Sequence, residues 1–377
     1  SSDYFFFDEN CSFSLLYLVE AARPGVHLAD RVHAWLIPLD SIRMIEQEGM
    51  INGVSYRPSR VTRIRSLCKA LTPPERHRAL SLARGDAGDA GVDTTDSAGI
   101  YELAGEYLQY LYSQGDVSQE DYRKRFLDIL ASRSELGPGE DQGAARIPVP
   151  VNPLEGHRSN RAGLGAGIHH EGTFLEMRLR PAYHNLMDRD DGYVPGAHLV
   201  FADISVRYFP DLNRCRLESL DVVDIISLSP WSACFRPVSW KITTGLTREA
   251  DSEGRDRLVF QINPGAGFAC GGMDSLLAYA FMETAVEFGG VLENDCVYGV
   301  GGSTGVLRTF EELSGWKVHA YARGVAFGPW DRHTSREAGL RQNLPLGRDT
   351  ALMLDLVWKG SRGYSRNEAK ITWNVFF

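Results

Sequence analysis

"NEAKITWNVFF" (Asn367–Phe377) closes the chain, and it alternates with a single exception. Ala369, Ile371, Trp373, Val375 and Phe377 make one apolar row. Glu368, Lys370, Thr372 and Asn374 make the other, with Phe376 its one apolar member. A period of two is the signature of a strand with one polar face and one face against something apolar. Whether that apolar row meets a protein core or lipid is decided by the rest of the chain.

Several stretches repeat the pattern. In "FLEMRLRPAYH", Leu175, Met177, Leu179 and Tyr183 oppose Glu176, Arg178 and Arg180. In "LVFADISVRYF", Val200, Ala202, Ile204, Val206 and Tyr208 oppose Asp203, Ser205 and Arg207. "WKVHAYARGVAF" sets Trp316, Val318, Ala320 and Ala322 against Lys317, His319, Tyr321 and Arg323. "ALMLDLVWKG" sets Leu352, Leu354, Leu356 and Trp358 against Asp355 and Lys359. From residue 158 on there are about twelve such runs, each of about ten to fourteen residues and bounded by turn residues.

A water-soluble β-sandwich is the competing explanation, and three features oppose it. The runs exceed the usual five or six residues of soluble strands. Their polar rows carry Arg178, Arg180, Arg207 and Arg323, which suit a hydrated lumen with paired charges. Tyr183, Tyr208, Trp316 and Trp358 fall at row ends, where interfacial girdles sit. A last strand ending in Phe also resembles the terminal signal of bacterial outer-membrane proteins. The apolar row is therefore expected to face lipid.

Composition agrees. The 377 residues carry a formal net charge of −9, against a nucleic-acid partner that needs a broad basic surface. Mean hydropathy is −0.24, and no run of about 18 apolar residues offers a membrane-spanning helix. Cys11, Cys68, Cys215, Cys234, Cys270 and Cys296 show no CxxC or zinc-ligand spacing, so no metal and no cofactor are expected.

The expected fold class is α+β, in four segments. Residues 1–72 read as α/β, with a "YFFF" strand and a helix "CSFSLLYLVEAAR" holding Leu15, Leu16, Leu18 and Val19 inward. "HAWLIPLD" and "VSYRPSR" are short extended pieces around helical "DSIRMIEQEG". Residues 73–134 are helical, and 135–157 form a Pro/Gly-rich linker. "RGDAGDAGVDTTD" reads as a mobile loop. Residues 158–377 form an antiparallel transmembrane β-barrel of about 12 strands. With the C-terminus in the periplasm, an even strand count places the N-terminal segments there too. The connections "NLMDRDDGYVPG" and "LSPWSACFRP" then fall on the periplasmic side. Cys234 and Cys270 would both lie at periplasmic turns, where a disulfide between them and a pair of free thiols are both open readings.

The most chemistry lies in "FFFDENCSFSLLYLVEAARPG". Asn10 can cap a helix whose first turn holds Cys11, where the unpaired N–H groups and the dipole favour a thiolate. A small buried Cys at a helix start is the structural alternative. "YFFFDENCSFSLLYLVEAARPG", "IPLDSIRMI" and "RPSR" resemble the back half of the periplasmic cysteine domain named after Lnb. That family includes lipoprotein intramolecular transacylases and is similar to permuted papain-like (NlpC/P60-type) hydrolases. "RAGLGAG", "FLEMRLRPAYHNLMD" and "PVSWKITTG" resemble the barrel that follows this domain in many Gram-negative proteins.

The resemblance implies that Cys11, with Asn10 beside it, is the catalytic nucleophile of an acyl-transfer or amide-cleaving centre. In that family the catalytic His lies upstream of the Cys. Here the chain starts with "SSDYFFFDENC", which reads as a processed or truncated piece of a longer protein. An upstream fragment of the same precursor, outer-membrane lipid and an envelope complex are the implied partners. His27 and His33 match no family motif, and His184 sits at the periplasmic end of an expected strand. The ladder Gly163, Gly165, Gly167 has strand spacing and marks a thin inner wall, not a phosphate loop. Three functions compete: a barrel-anchored thiol enzyme, a scaffold subunit with an inactive cysteine domain, and a passive pore.

Overall fold

The computed structural model describes residues 10–32, 35–86, 98–136, 147–251, 253–272, 276–289, 295–328 and 332–377. The expected "YFFF" strand, His33 and most of the Gly-rich run after Arg84 lie outside these residues. Two compact units result. One comprises 1–52, 151–230 and 237–377, and the other 53–150 with 231–236.

At the start of the first unit, α1 (Cys11–Ala22) is followed by α2 (Pro38–Gln47). Proline suits the first helical position of α2, since its missing N–H would have no partner there. Leu16, Leu28 and Leu36 are the buried centre of a small cluster that Phe13, Val19, Met44 and Ile45 border. The inward row expected for α1 is only half right. Leu16 is buried, whereas Leu15 is 46% and Leu18 68% exposed. Among the described residues α1 packs chiefly on α2, the turn Ala29–Arg31 and the segments beside them, which cover one side of the helix. The extended pieces expected around α2 form no strand either: "PLD" begins the helix, and 51–59 lacks a ladder partner.

The second unit holds α3 (Arg60–Ala70), α4 (Pro73–Arg84), α5 (Ala98–Gln114) and α6 (Gln119–Glu135). Ser59 caps α3, Ser118 caps α6, and Thr72 with Glu75 forms a capping box on α4. Gly85, at φ 79°, closes α4 in the left-handed region. Ile64, Leu67 and Cys68, at spacings of three and four, point α3 into a core with Ala79, Ala83, Leu103 and Leu108. Helical packing thus begins before residue 73. The segment Trp231–Arg236 belongs to this unit: Phe235 lies 5.2 Å from Tyr110 and 5.9 Å from Tyr107, ring to ring.

Cys234 in that segment is disulfide-bonded to Cys68 of α3, 166 positions away. Neither open reading of Cys234, a bond to Cys270 or a free thiol, holds. Cys270 is a free, exposed thiol in a barrel strand, while its supposed partner is enrolled in a helical core. A non-reducing peptide map should therefore yield a linked Cys68–Cys234 peptide and an alkylated Cys270. A Cys234–Cys270 link in that map would contradict the fold described here.

The barrel begins with β1 (Arg161–His169), β2 (Gly172–Arg180), β3 (Ala182–His184) and β4 (Ala197–Phe209). It continues through β5 (Arg214–Ser227), β6 (Ser239–Ala250), β7 (Asp256–Gly271), β8 (Leu276–Phe288) and β9 (Cys296–Phe310). β10 (Trp316–Gly328), β11 (His333–Pro345), β12 (Thr350–Ser361) and β13 (Tyr364–Phe376) complete it. Each pairs antiparallel with its neighbour, β1 pairs with β13, and β2 pairs with β4 as well as β1. β3 continues the line of β2 along β4 after Pro181, which has no N–H to give a ladder. Among the described residues this makes twelve strands in a closed ring, which leaves no unpaired edge.

Arg161 opposite Phe376 puts the start of β1 and the end of β13 at one end of the barrel. That end also receives the loop 185–196 and the residues 228–230 and 237–238 next to β5 and β6. On β13 and at Phe377 just after it, Ile371, Trp373 and Phe377 are exposed outside, whereas Lys370, Thr372, Asn374 and Phe376 are buried inside. The same division holds for Leu175, Met177 and Leu179 against Glu176 and Arg180. Trp240 and Trp316 stand at one rim, Tyr208, Tyr298, Trp358 and Tyr364 at the other. One row breaks its expected parity. Ala202 adopts φ 51°, and Val200 turns inward with 2% exposure, so the side of the strand changes at this irregularity.

Opposite charges fill the inside. Arg178 Nε meets Asp203 at 2.6 Å, Arg323 Nε meets Glu283 at 2.9 Å, and Lys370 Nζ meets Glu176 at 2.7 Å. A polar cavity of about 350 Å³ remains among these groups. The Gly ladder of β1 faces the same interior. A Cβ on Gly163 would stand 2.8 Å from Asn374 Oδ1, and one on Gly167 2.6 Å from Phe174.

Candidate functional site

Asn10 has extended backbone, and its side-chain carbonyl accepts from the Ser12 and Phe13 amides at 3.0 and 3.2 Å. Its Nδ2 donates to the Leu36 carbonyl at 2.8 Å, so the cap is itself fixed from a second segment. Cys11 follows as the first residue of α1, with an exposed thiol that has no hydrogen-bond partner among the described residues. Because Asn10 occupies the Ser12 and Phe13 N–H groups, the Cys11 amide is the first-turn donor left without a partner among the described residues. Asn10 therefore positions the turn that bears the thiol.

Other contacts fasten this region to the barrel within the same unit. Trp35 Nε1 donates to Asn160 Oδ1 at 3.0 Å. Arg43 donates to the carbonyls of Gly156 and His157 at 3.2 and 2.7 Å. Ser159 donates to Asp40 at 3.0 Å, while burial raises the Asp40 carboxyl above its ordinary pKa despite Ser159 and Arg43. Asn160 exchanges both backbone hydrogen bonds with Phe377. Sequence reasoning missed this clamp; its one signal was a cation inside the apolar run "SIRMI".

His27 does not approach the thiol chemistry and instead lies 3.9 Å from Asp30 on the surface. His184 is fully buried at the barrel mouth and not turned to a surface. Its Nδ1 meets His157 Nε2 at 3.0 Å, and its Nε2 lies 3.5 Å from Asp190. Burial pushes His157 down to about 4, with the Asp188 charge pulling partly back, so the imidazole is neutral at pH 7. Burial alone would raise Asp188, but Arg180 and Arg161 hold it well below the carboxylate range.

His157, His184 and Asp188 have the donor types for a metal ion, as do His169, His170 and Asp256. Each carboxylate, however, is already held by two guanidinium groups. Asp188 meets Arg180 at 2.7 Å and Arg161 at 3.4 Å, and Asp256 meets Arg216 and Arg366. Lys317 adds a further cation beside Asp190 at 2.7 Å. A divalent ion would enter a neighbourhood whose negative charge is spent. Both clusters act as ion-pair locks of the barrel ends.

Residues 150–376, the whole barrel, match the family described as a domain of unknown function, DUF7840. The chain belongs to that family. Residues 54–144 match a second domain of unknown function, DUF7842, and residues 1–48 match the Lnb N-terminal periplasmic domain. No curated protein matches the chain. Among solved structures, the KdgM porin in complex with disordered oligogalacturonate shares 7% identity, with 56% of this chain and 98% of that one covered and a TM-score of 0.33. The NanC porin shares 9% identity over 57% and 99%, with a TM-score of 0.35. A loop L8 deletion mutant of OmpT from Vibrio cholerae shares 7% over 59% and 100%, with a TM-score of 0.29. The DUF7840 barrel, apolar outside and closed on itself, lies in the outer membrane with its N-terminal region in the periplasm. The end that carries Phe377, Asn160 and Trp35 is accordingly the periplasmic end.

Proposed function

We propose that the barrel is an anchor and that the segment bearing Cys11 is a periplasmic thiol acyl-transfer or hydrolase centre. Its substrates would be acyl or amide bonds of lipid, lipoprotein or peptidoglycan. The observation that carries this reading is the helix start, where a doubly fastened Asn10 presents an exposed Cys11 thiol. The Cys11 thiol gives up its proton and attacks the carbonyl carbon, a C–S bond forms as the C–O or C–N bond breaks, and the alcohol or amine leaves carrying that proton. A second alcohol, amine or water then releases the acyl group from the thioester and regenerates the thiol. The Cys11 amide is the local donor to the developing oxyanion. An anchor role is supported by a lumen crossed by ion pairs, which a passive pore would not need.

The test is the rate of alkylation at neutral pH by an acyl-mimicking electrophile, read site by site in the full-length protein. Cys11 is expected to react at least about ten times faster than a cysteine placed at the exposed Glu46 position of α2, as an activated thiolate does. Equal rates would remove the enzyme reading. A structural subunit of an envelope complex with an inactive cysteine domain is the second reading. The lack of a hydrogen-bond partner for the thiol among the described residues favours it. Full function and stable co-purification of a fixed partner in Cys11→Ala would support it.

A further inference from the structure

Strand β11 carries a cation on its outer side. Glu337 and Arg341 line the lumen, so Arg336, Ala338 and Leu340, which alternate with them, face the membrane. Pro345 pairs with Ala351, and Thr350 pairs with Val375 at the periplasmic end of β13. Arg336, three residues after His333, therefore lies in the extracellular part of β11. It is exposed and has no ion-pair or hydrogen-bond partner among the described residues. Its ladder neighbours are Gly324 on β10 and Gly360 on β12, and the outward rows of β10, β12 and β13 hold no charge. An outward arginine is costly at the middle of a bilayer and tolerated where its guanidinium reaches the headgroups.

Toward the periplasm from Arg336 the wall is hollow. Ala320 and Ala322 on β10 and Ala338 on β11 floor a groove of about 780 Å³, between Val306 on β9 and Leu356 and Trp358 on β12. The Trp358 indole lies against Gly360, where a Cβ would stand 3.1 Å from it, and so at the level of Arg336. Tryptophan at that level marks the headgroup boundary. We propose that this part of the wall binds the phosphorylated glycolipid of the outer leaflet, with a phosphate on Arg336 and an acyl chain in the groove. A guanidinium offers a phosphate two parallel N–H donors and is more weakly hydrated than an ammonium. The cation stands at headgroup depth and the hollow beneath it, in the order of the lipid's own parts. The groove is also continuous with a surface that lipid already covers. A second copy of the chain fits less well. Two copies packed about an axis along the membrane normal bring equal depths together, so Arg336 would meet its own symmetry mate with no acid on the rows beside it. The site stands whether or not Cys11 is a nucleophile.

The test is native mass spectrometry of the full chain, purified in detergent and titrated with diphosphorylated lipid A. Arg336→Ala is expected to lower the retained lipid about ten-fold or more, as loss of a charge-assisted contact does. Ala338→Phe, which fills the groove, should lower it several-fold. Arg308→Ala is the control. That guanidinium lies over the Phe310 ring near the periplasmic end of β9, and its loss should leave retention unchanged. Heat-dependent electrophoretic mobility verifies that each barrel is folded, and Arg336→Gln replaces Arg336→Ala if the latter does not fold. With lipid A stripped of its phosphates, the parent and Arg336→Ala should bind alike. Phosphatidylglycerol at the same concentration should be retained several-fold less than lipid A. Equal retention of lipid A by the parent and Arg336→Ala overturns the proposal. So does phosphatidylglycerol retained as well as lipid A, which marks a general lipid contact. A lipid-free dimer overturns it too, because a second copy of the chain then covers the face.

Discussion

Met282→Arg should lower the unfolding free energy of the barrel by about 2–4 kcal/mol. Met282 is the middle residue of β8, is 77% exposed, and lies between Ala266 and Gly302 on the flanking strands. On a soluble sheet so exposed a position would tolerate arginine within about 0.5 kcal/mol, because the guanidinium would stay hydrated. At mid-height on a lipid-covered wall the same group must lose water or drag it into the hydrocarbon. Leu313→Arg is the control. Leu313 is 53% exposed as well, but it lies in the turn between β9 and β10, outside the wall. Urea titration in phospholipid vesicles, followed by the mobility of the folded form, measures both. Equal, small effects at the two positions would mean that water, not lipid, covers the outside.

The strand code was legible because a period of two survives any rotation of the strand and needs no knowledge of neighbours. β13, β12, β10 and β2 keep the faces that their residues dictate. β4 does not, because one residue at φ 51° shifts the parity and alternation cannot announce a positive φ at an alanine. Longer-range pairings were invisible for a different reason. Cys234 meets Cys68 because a connection between β5 and β6 joins a helical core, and nothing local to "SPWSACFRP" encodes that. The capping of α1 by Asn10 was readable from residue type and position. Its second anchor at Leu36, and the clamp of Trp35 and Arg43 on the residues before β1, depend on partners 26 to 125 positions away. The exposed side of α1 misled sequence reading because Leu15 and Leu18 are core residue types, and residue type alone does not say which face of a helix its neighbours cover.

Arg207→Ala should cost about 3–5 kcal/mol, the largest loss expected from any one change inside the barrel. The guanidinium reaches three acids. Nε holds Glu176 at 2.7 Å, Nη1 and Nη2 hold Glu368 at 2.8 and 2.7 Å, and Nη1 lies 3.2 Å from Glu218. It also stacks over the Phe174 ring at 4.1 Å. Glu176 and Glu368 sit on β2 and β13, which flank β1, while Arg207 and Glu218 sit on β4 and β5. One side chain thus ties strands on both sides of the place where the ring closes. Without it Glu176 keeps Lys370 at 2.7 Å, but Glu218 and Glu368 lose their shared cation in a crowded interior. Removing the bidentate acid as well should restore part of the loss. Arg207→Met with Glu368→Gln is expected to be more stable than Arg207→Met alone, by a coupling of about 0.5–3 kcal/mol. If Arg207→Ala unfolds within about 0.5 kcal/mol of the parent, water is compensating the freed carboxylates. The interior would then be an open hydrated channel, and a conducting pore would replace the anchor as the better account of the barrel.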